Sequence, residues 1–172
     1  MKLKRLTALL LSVMLVLSLA ACGGGKDAKD DSADGDLSGK EIIIGNITPV
    51  TGAQAAYGLA ITNSIQMAID EINADGGING KQIEILTEDE QGDATQAVNC
   101  FTKMVDEGIT ALVGDVTTTP TLAVAAESAD YNMPMVTASA TAEAVTYDAE
   151  TDTVNENVFR ATFTDPFQGI KM

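Results

Sequence analysis

The chain has 172 residues, with 25 acidic against 10 basic side chains, a net charge of −15 and no histidine. That balance argues against a nucleic-acid partner, because phosphate recognition needs local positive charge. The lack of imidazole removes the commonest transition-metal ligand and general base.

At the amino terminus Lys2, Lys4 and Arg5 precede an apolar run from Leu6 to Ala20. This is a signal-peptide pattern, and at about 15 residues the run is shorter than a bilayer-spanning helix requires. Leu19-Ala20-Ala21-Cys22-Gly23 resembles the lipobox of bacterial lipoproteins. That resemblance implies cleavage after residue 21 and diacylation of Cys22, with two acyl chains holding far more firmly than one. Residues 1–21 are then a signal peptide. Their removal takes three basic side chains and no acidic ones, leaving a net −18. Only Cys100 would remain as a free thiol, so neither an intramolecular disulfide framework nor a cysteine-rich metal site is expected. Residues 22–39 hold one large apolar side chain, Leu37, among Gly, Asp, Ser and Lys. They are expected to form a lipidated, flexible acidic linker, extended by its own charge.

Folded sequence begins near Lys40 and leaves roughly 130 residues, enough for one core. Glu41 to Ile47 is short, β-branched and apolar on both parities, which suits a strand covered on both faces. Ile61, Ile65, Ala68, Ile69 and Ile72 form one helical stripe, ended by Asp75-Gly76-Gly77. A second strand is expected over Gln82 to Glu88, parallel to the first through a right-handed crossover. Ala94, Val98, Phe101 and Val105 should line a second helix ending at Gly108, followed by a strand at Ala111 to Gly114. Pro120 suits the first turn of a third helix, with Leu122, Ala125, Ala126 and Ala129 inward. Met135 to Thr137 reads as a fourth strand, Thr141 to Val145 as a helical turn, and Asp148 to Asn157 as a polar loop. Val158 to Ala161 is a fifth strand. Asp165 as cap and Pro166 as first residue open a last helix of about one turn, as though the chain were cut from something longer. The alternation predicts an α/β fold, a three-layer open parallel sheet.

Several chemistries fail on spacing. A phosphate loop needs glycine five residues before Gly-Lys-Ser/Thr, whereas Asp75 holds that place before Gly80-Lys81 and Gln82 follows. No Gly-x-Ser-x-Gly elbow exists, and no histidine could serve it. Glu88, Asp89, Glu90 and Asp93 cluster without the calcium-loop spacing and read better as a solvated turn. What remains is a set of hydroxyls after two strands: Thr117, Thr118 and Thr119 after the third, Ser139 and Thr141 after the fourth. Ligands of open α/β sheets sit at this end, and amides opening a helix suit a carboxylate. Taken singly, Thr119 or Thr141 would serve equally well as a helix cap.

Ile44-Gly45-Asn46-Ile47-Thr48-Pro49-Val50-Thr51-Gly52, Ala56-Tyr57-Gly58, Asp70-Glu71-Ile72-Asn73, Gly76-Gly77-Ile78-Asn79-Gly80-Lys81, Glu88-Asp89 and Gln91-Gly92-Asp93 together resemble the substrate-binding proteins of branched-chain amino acid ABC transporters. The likeness covers residues 40–172, and Phe163 to Gly169 is similar to that family's crossover between lobes. It implies a type I periplasmic-binding-protein-like fold, here the amino-terminal part of a substrate-binding domain with an incomplete first lobe. Such proteins close two lobes over an amino acid and deliver it to permease subunits. By matching position, Thr118 would hold the ligand carboxylate, Ser139, Ala140 and Thr141 both ligand ends, and Tyr57 a wall of the side-chain pocket. Thr118 stands where the family commonly has serine. Ser139 replaces a usual alanine, and its extra hydroxyl argues against strictly aliphatic specificity. A disulfide often found in the family would fall on Gln91 and Thr117, so Cys100 is expected as a partly buried helix residue.

The resemblance implies a lipid-anchored, extracytoplasmic, non-catalytic protein that binds leucine, isoleucine or valine for an ABC transporter permease and needs no cofactor or metal. The alternative is a sensing or regulatory domain for a related amino acid or small amide.

Overall fold

Residues 42–172 are described by a computed structural model. Cys22, the leader before it and the acidic linker lie outside the described residues. The strands β1 (Ile42–Thr48), β2 (Ile83–Asp89), β3 (Ala111–Gly114) and β4 (Met135–Thr137) alternate with the helices α1 (Ala55–Ala74), α2 (Ala94–Asp106) and α3 (Thr118–Asp130). A 3-10 turn at Glu143–Val145 and a hairpin of β5 (Tyr147–Asp148) and β6 (Thr153–Val154) lead to β7 (Val158–Arg160) and α4 (Asp165–Lys171). Five strands form a parallel sheet in the order β2-β1-β3-β4-β7. This is the α/β, open parallel sheet expected from the alternation.

Register explains what each face carries. Gly45 lies beside Leu112, Leu112 beside Met135 and Met135 beside Val158. With Ile47 these residues pack against Phe101 and Met104 of α2 and Val124 and Ala125 of α3, all buried. On the opposite face Asn46 is fully buried, its amide donating to Thr62 of α1 at 2.9 Å and Thr87 of β2 at 3.3 Å. Asn73 of α1 pairs with the backbone of Ile83 in both directions, at 2.8 and 2.9 Å. α1 therefore covers β1 and β2, while α2 and α3 pack on the other side, as right-handed crossovers require when β1 to β2 runs one way across the sheet and β2 to β3 and β3 to β4 run the other. Val136 and Phe159, paired across β4 and β7 on the face of α1, are exposed.

Several expectations are corrected. The inward face of α2 is Ala97, Cys100, Phe101 and Met104, rotated from the expected stripe; Ala94, Val98 and Val105 are only partly buried. In α3 the buried residues are Pro120, Thr121, Val124, Ala125 and Ser128, while Ala126 and Ala129 face solvent. Alanine and threonine differ too little in bulk for pattern alone to fix that rotation. The hydroxyls of Thr121 and Ser128 satisfy themselves on Thr117 O and Ala125 O, one turn back or less, which lets them face the core. Ala68 and Ile72 of the α1 stripe are exposed. The polar loop before β7 contains the β5–β6 hairpin, with Asp148 accepting from Glu150 N and Thr151 Oγ1. The cap of α4 is Thr164, whose hydroxyl accepts from Phe167 N. Asp165 and Pro166 follow it, and the helix runs seven residues, longer than the single turn expected.

Candidate functional site

β1 sends its chain to β2 on one side while β3 sends its chain to β4 on the other. The sheet's crevice opens where the order reverses, between the carboxyl ends of β1 and β3. The ligand residues expected from the sequence follow β1, β3 and β4, which are adjacent strands, on the loops or first helical turns at that same end.

Tyr57 lies in the first turn of α1 and is 68% exposed. Its placement depends on Gly58, which is buried: a Cβ there would lie 2.0 Å from Pro49 O, so only glycine lets α1 start this close to the end of β1. No hydrogen bond joins Tyr57 to the loops of β3 and β4. Thr118 opens α3 and is partly buried. The capping position belongs to Thr117, not Thr119, and its side chain makes no capping bond. The amides of Thr118 and Thr119 lack intrahelical partners by position, and Pro120 has no N–H to offer. Those two amides lie at the positive end of a 13-residue helix.

The β4 loop is fastened from several sides. Ser139 Oγ donates to Val116 O at 2.6 Å, tying it to the β3 loop. Thr137 Oγ1 donates to Asp115 O at 2.7 Å and accepts from Ala140 N at 3.1 Å. Arg160 Nη1 donates to Ala140 O at 3.2 Å and Ala142 O at 2.6 Å, and its Nη2 to Thr146 Oγ1 at 2.7 Å. Asp165 N, opening α4, donates to Thr141 O at 3.1 Å. Ala140 is thus buried with one partner already on its N–H and one on its C=O. Ser139 has its proton on Val116, so toward a ligand its oxygen can only accept. Thr141 is not a helix cap, the 3-10 turn starting two residues later.

The acidic cluster is not the solvated turn expected. Asp89 accepts from Val50 N at 3.0 Å, Thr51 N at 3.3 Å, Thr51 Oγ1 at 2.6 Å and Gln91 N at 3.1 Å, holding the β1 loop. Burial pushes its carboxyl up, but the Thr51 hydroxyl and these backbone donors outweigh that and hold it below its ordinary value. Asp93 caps α2 through Gln96 N at 2.8 Å, and Glu88 pairs with Lys103 at 2.5 Å. Glu90 is fully buried. So is Asp115, which sequence reasoning did not single out. The signal available was a lone acidic residue directly after an apolar strand. Cys100 is buried, with Sγ 3.8 Å from Asp89 O, and burial among Glu88, Glu90 and Asp89 pushes its thiol up to about 11. It therefore stays protonated and unreactive. Among the described residues, no three His, Cys, Asp or Glu side chains gather to hold a metal ion.

The chain is 40% identical over 110 residues to the Leu/Ile/Val-binding protein BraC3 of Rhizobium johnstonii, covering 64% of this chain and 30% of that one. It is 39% identical over 98 residues to the leucine-, isoleucine-, valine-, threonine-, and alanine-binding protein of Pseudomonas aeruginosa, covering 57% and 26%. Among solved structures it is similar to the branched-chain amino acid transporter substrate-binding protein LivJ of Streptococcus pneumoniae in complex with isoleucine. There the TM-score is 0.66 and the identity 35%, over 73% of this chain and 35% of that one. The chain spans between about a quarter and about a third of the length of these relatives. The family described as periplasmic binding protein matches residues 41–170. Matched over nearly all of its described length and folded as an open parallel sheet with helices on both faces, the chain belongs to the periplasmic binding protein family.

Proposed function

We propose that this domain contributes one wall of a cleft that binds an amino acid outside the membrane, leucine, isoleucine, valine or a slightly more polar relative, for delivery to an ABC transporter permease. The family is one of binding proteins, not of enzymes. The observation that carries the reading is the junction of two hydroxyl-bearing loops, Thr118 at the start of α3 and Ser139–Thr141 after β4, fastened by the Ser139–Val116 bond at 2.6 Å. In this reading the ligand carboxylate meets the Thr118 hydroxyl and the free amides of α3, where the helix dipole favours negative charge. The ammonium meets Ser139 Oγ, restricted to accepting, together with Thr141 and the Ala140 carbonyl. Tyr57 walls the side-chain pocket. Relatives that bind leucine, isoleucine and valine by name support the ligand class, and the Pseudomonas relative extends it to threonine and alanine. The Ser139 hydroxyl favours that wider range.

Isothermal titration of the complete protein against these five amino acids tests the reading, with micromolar or tighter binding expected for at least one. Thr118→Val keeps the shape and removes a hydrogen bond to a charged group, so it should weaken binding by about one to two decades. Unchanged affinity would remove Thr118 from the site, and binding of only a non-amino-acid solute would overturn the ligand. The membrane is reached, in this proposal, through a diacylglyceryl group on Cys22, with residues 22–39 as linker. Mass spectrometry of protein made in a bacterium should find that mass on Cys22 and nothing before it. A chain that keeps Met1 would sink the anchor.

A further inference from the structure

Glu90, just past β2, and Asp115, just past β3, are both fully buried at the ends of the two strands that flank β1, and each acts on the other's carboxyl. Glu90 Oε2 accepts from Gly92 N, and Asp115 Oδ1 accepts from Val116 N. Glu90 Oε1 and Asp115 Oδ2 are buried without a hydrogen-bond partner among the described residues. Two carboxylates cannot satisfy each other, since both only accept, whereas a carboxyl and a carboxylate can.

Among the described residues, no cation is among the groups that act on either carboxyl. Asp89 adds a negative charge beside Glu90. From α2 the Cys100 thiol faces the same group, and Lys103 lies at the surface, paired with Glu88. The first turn of α3 carries no acidic side chain and β1 no charged one. Arg160 of β7 is engaged with the β4 loop.

We propose that Glu90 and Asp115 form a proton-binding site, one proton shared between two carboxyl oxygens, whose loss weakens the hold of α3 on a ligand carboxylate. The step is a simple ionisation: the O–H bond of the shared pair breaks and its proton passes to solvent, leaving two carboxylates. Burial, followed by the charge of Glu90, pushes Asp115 up to about 7, against the amides of Val116 and Thr117 that pull it down; burial likewise raises Glu90. The loss therefore falls near neutrality. Asp115 takes the Val116 and Thr117 amides directly before the Thr118 and Thr119 amides that the proposed function assigns to the ligand. A ligand carboxylate and an ionised Asp115 then compete for one helix end, and ligand binding should draw a proton in. The coupling rests on the proposed function; the proton site does not.

Carbon-13 NMR of side-chain carboxyls in the ligand-free complete protein, titrated from pH 5 to 9, tests the site directly. Glu90→Gln and Asp115→Asn assign the two resonances. Both carboxyls should report one ionisation near pH 7, and in Glu90→Gln, where the new amide donates to Asp115 and the neighbouring charge is gone, the ionisation of Asp115 should move to lower pH. Resonances of two carboxylates already ionised at pH 5 would overturn the proposal. Leucine affinity should fall about tenfold from pH 6 to pH 8.5, the size of a like-charge repulsion in a partly buried site. In either variant it should be flat. A wild-type affinity equal at both pH values would overturn the coupling. If no amino acid binds at any pH the proposed function falls, and the carboxyl titration still decides the proton site.

Discussion

Arg160 shows how one side chain can organise a site it was not expected to touch. Its guanidinium reaches two carbonyls and a hydroxyl of the segment 140–146, a spread that suits a planar fork of donors and not a point charge. Arg160→Met should therefore destabilise the fold by about 2–3 kcal/mol in urea unfolding, because partly buried acceptors lose a charged donor. Arg160→Lys should recover only part of that. Both should weaken amino-acid binding more than they weaken the fold if the loop holds the ligand, and an affinity that survives in Arg160→Met would separate the loop from the site. Ser139 and Thr137 do related work at short range, joining the β3 and β4 loops by two hydroxyl-to-carbonyl bonds. Ser139, expected from the sequence as a ligand contact, is thus a fastener between the two loops.

At the scale of elements, the carboxyl ends of β2 and β3 store charge differently, and the difference is measurable. Asp89 is held below its ordinary value by donors, so its contribution to stability is present above about pH 4 and lost only as pH falls further. Asp115 runs the other way. Its value rises from 3.8 to about 7 on folding, so the folded protein binds the extra proton in that window. The stability it contributes is present below pH 4 and is lost as pH rises through about 7. Urea unfolding from pH 5 to pH 8 should show a decline of a few kcal/mol, after which the curve flattens. Asp115→Asn should abolish the slope and be more stable than wild type at pH 8. A wild-type slope of the opposite sign would show that Asp115 is ionised in the fold.

In the proposed function residues 42–172 supply one side of a cleft. Parallel strands are ordinarily covered on both faces, yet Val136 and Phe159 are exposed on the half of the sheet that α1 does not reach. The contacts assigned to the ligand all come from loops at one sheet end and leave its opposite side to water. Charge-assisted hydrogen bonds weaken when water competes for them. Residues 40–172 alone should therefore bind leucine, isoleucine or valine in the millimolar range or not measurably. Under the proposed function, a chain spanning the full length of the relatives should bind on the order of four decades more tightly, from several added contacts and exclusion of water. Titration of both proteins against one panel checks this. Equal tight binding by the shorter chain would place the whole site within one wall.

The strands and most helix bounds were legible because burial on two faces demands runs such as Ile42-Ile43-Ile44 and glycines end helices at 76, 77 and 108. Thr118, Ser139, Ala140 and Thr141 were placed at one sheet end by the same logic, since ligand loops follow parallel strands at their carboxyl ends. Tertiary structure decided what alternation cannot. It set the rotation of α2 and α3, where small residues leave several faces nearly equivalent. It brought Arg160 back onto the loop of β4, through pairing of β7 with a strand more than twenty residues earlier. It also buried Glu90 and Asp115, 25 positions apart, at one end of the sheet, because β2 and β3 flank β1 and end within one residue of the same height. A carboxyl's charge depends on the water and the neighbours around it, and neither is written in the residue's own position along the chain.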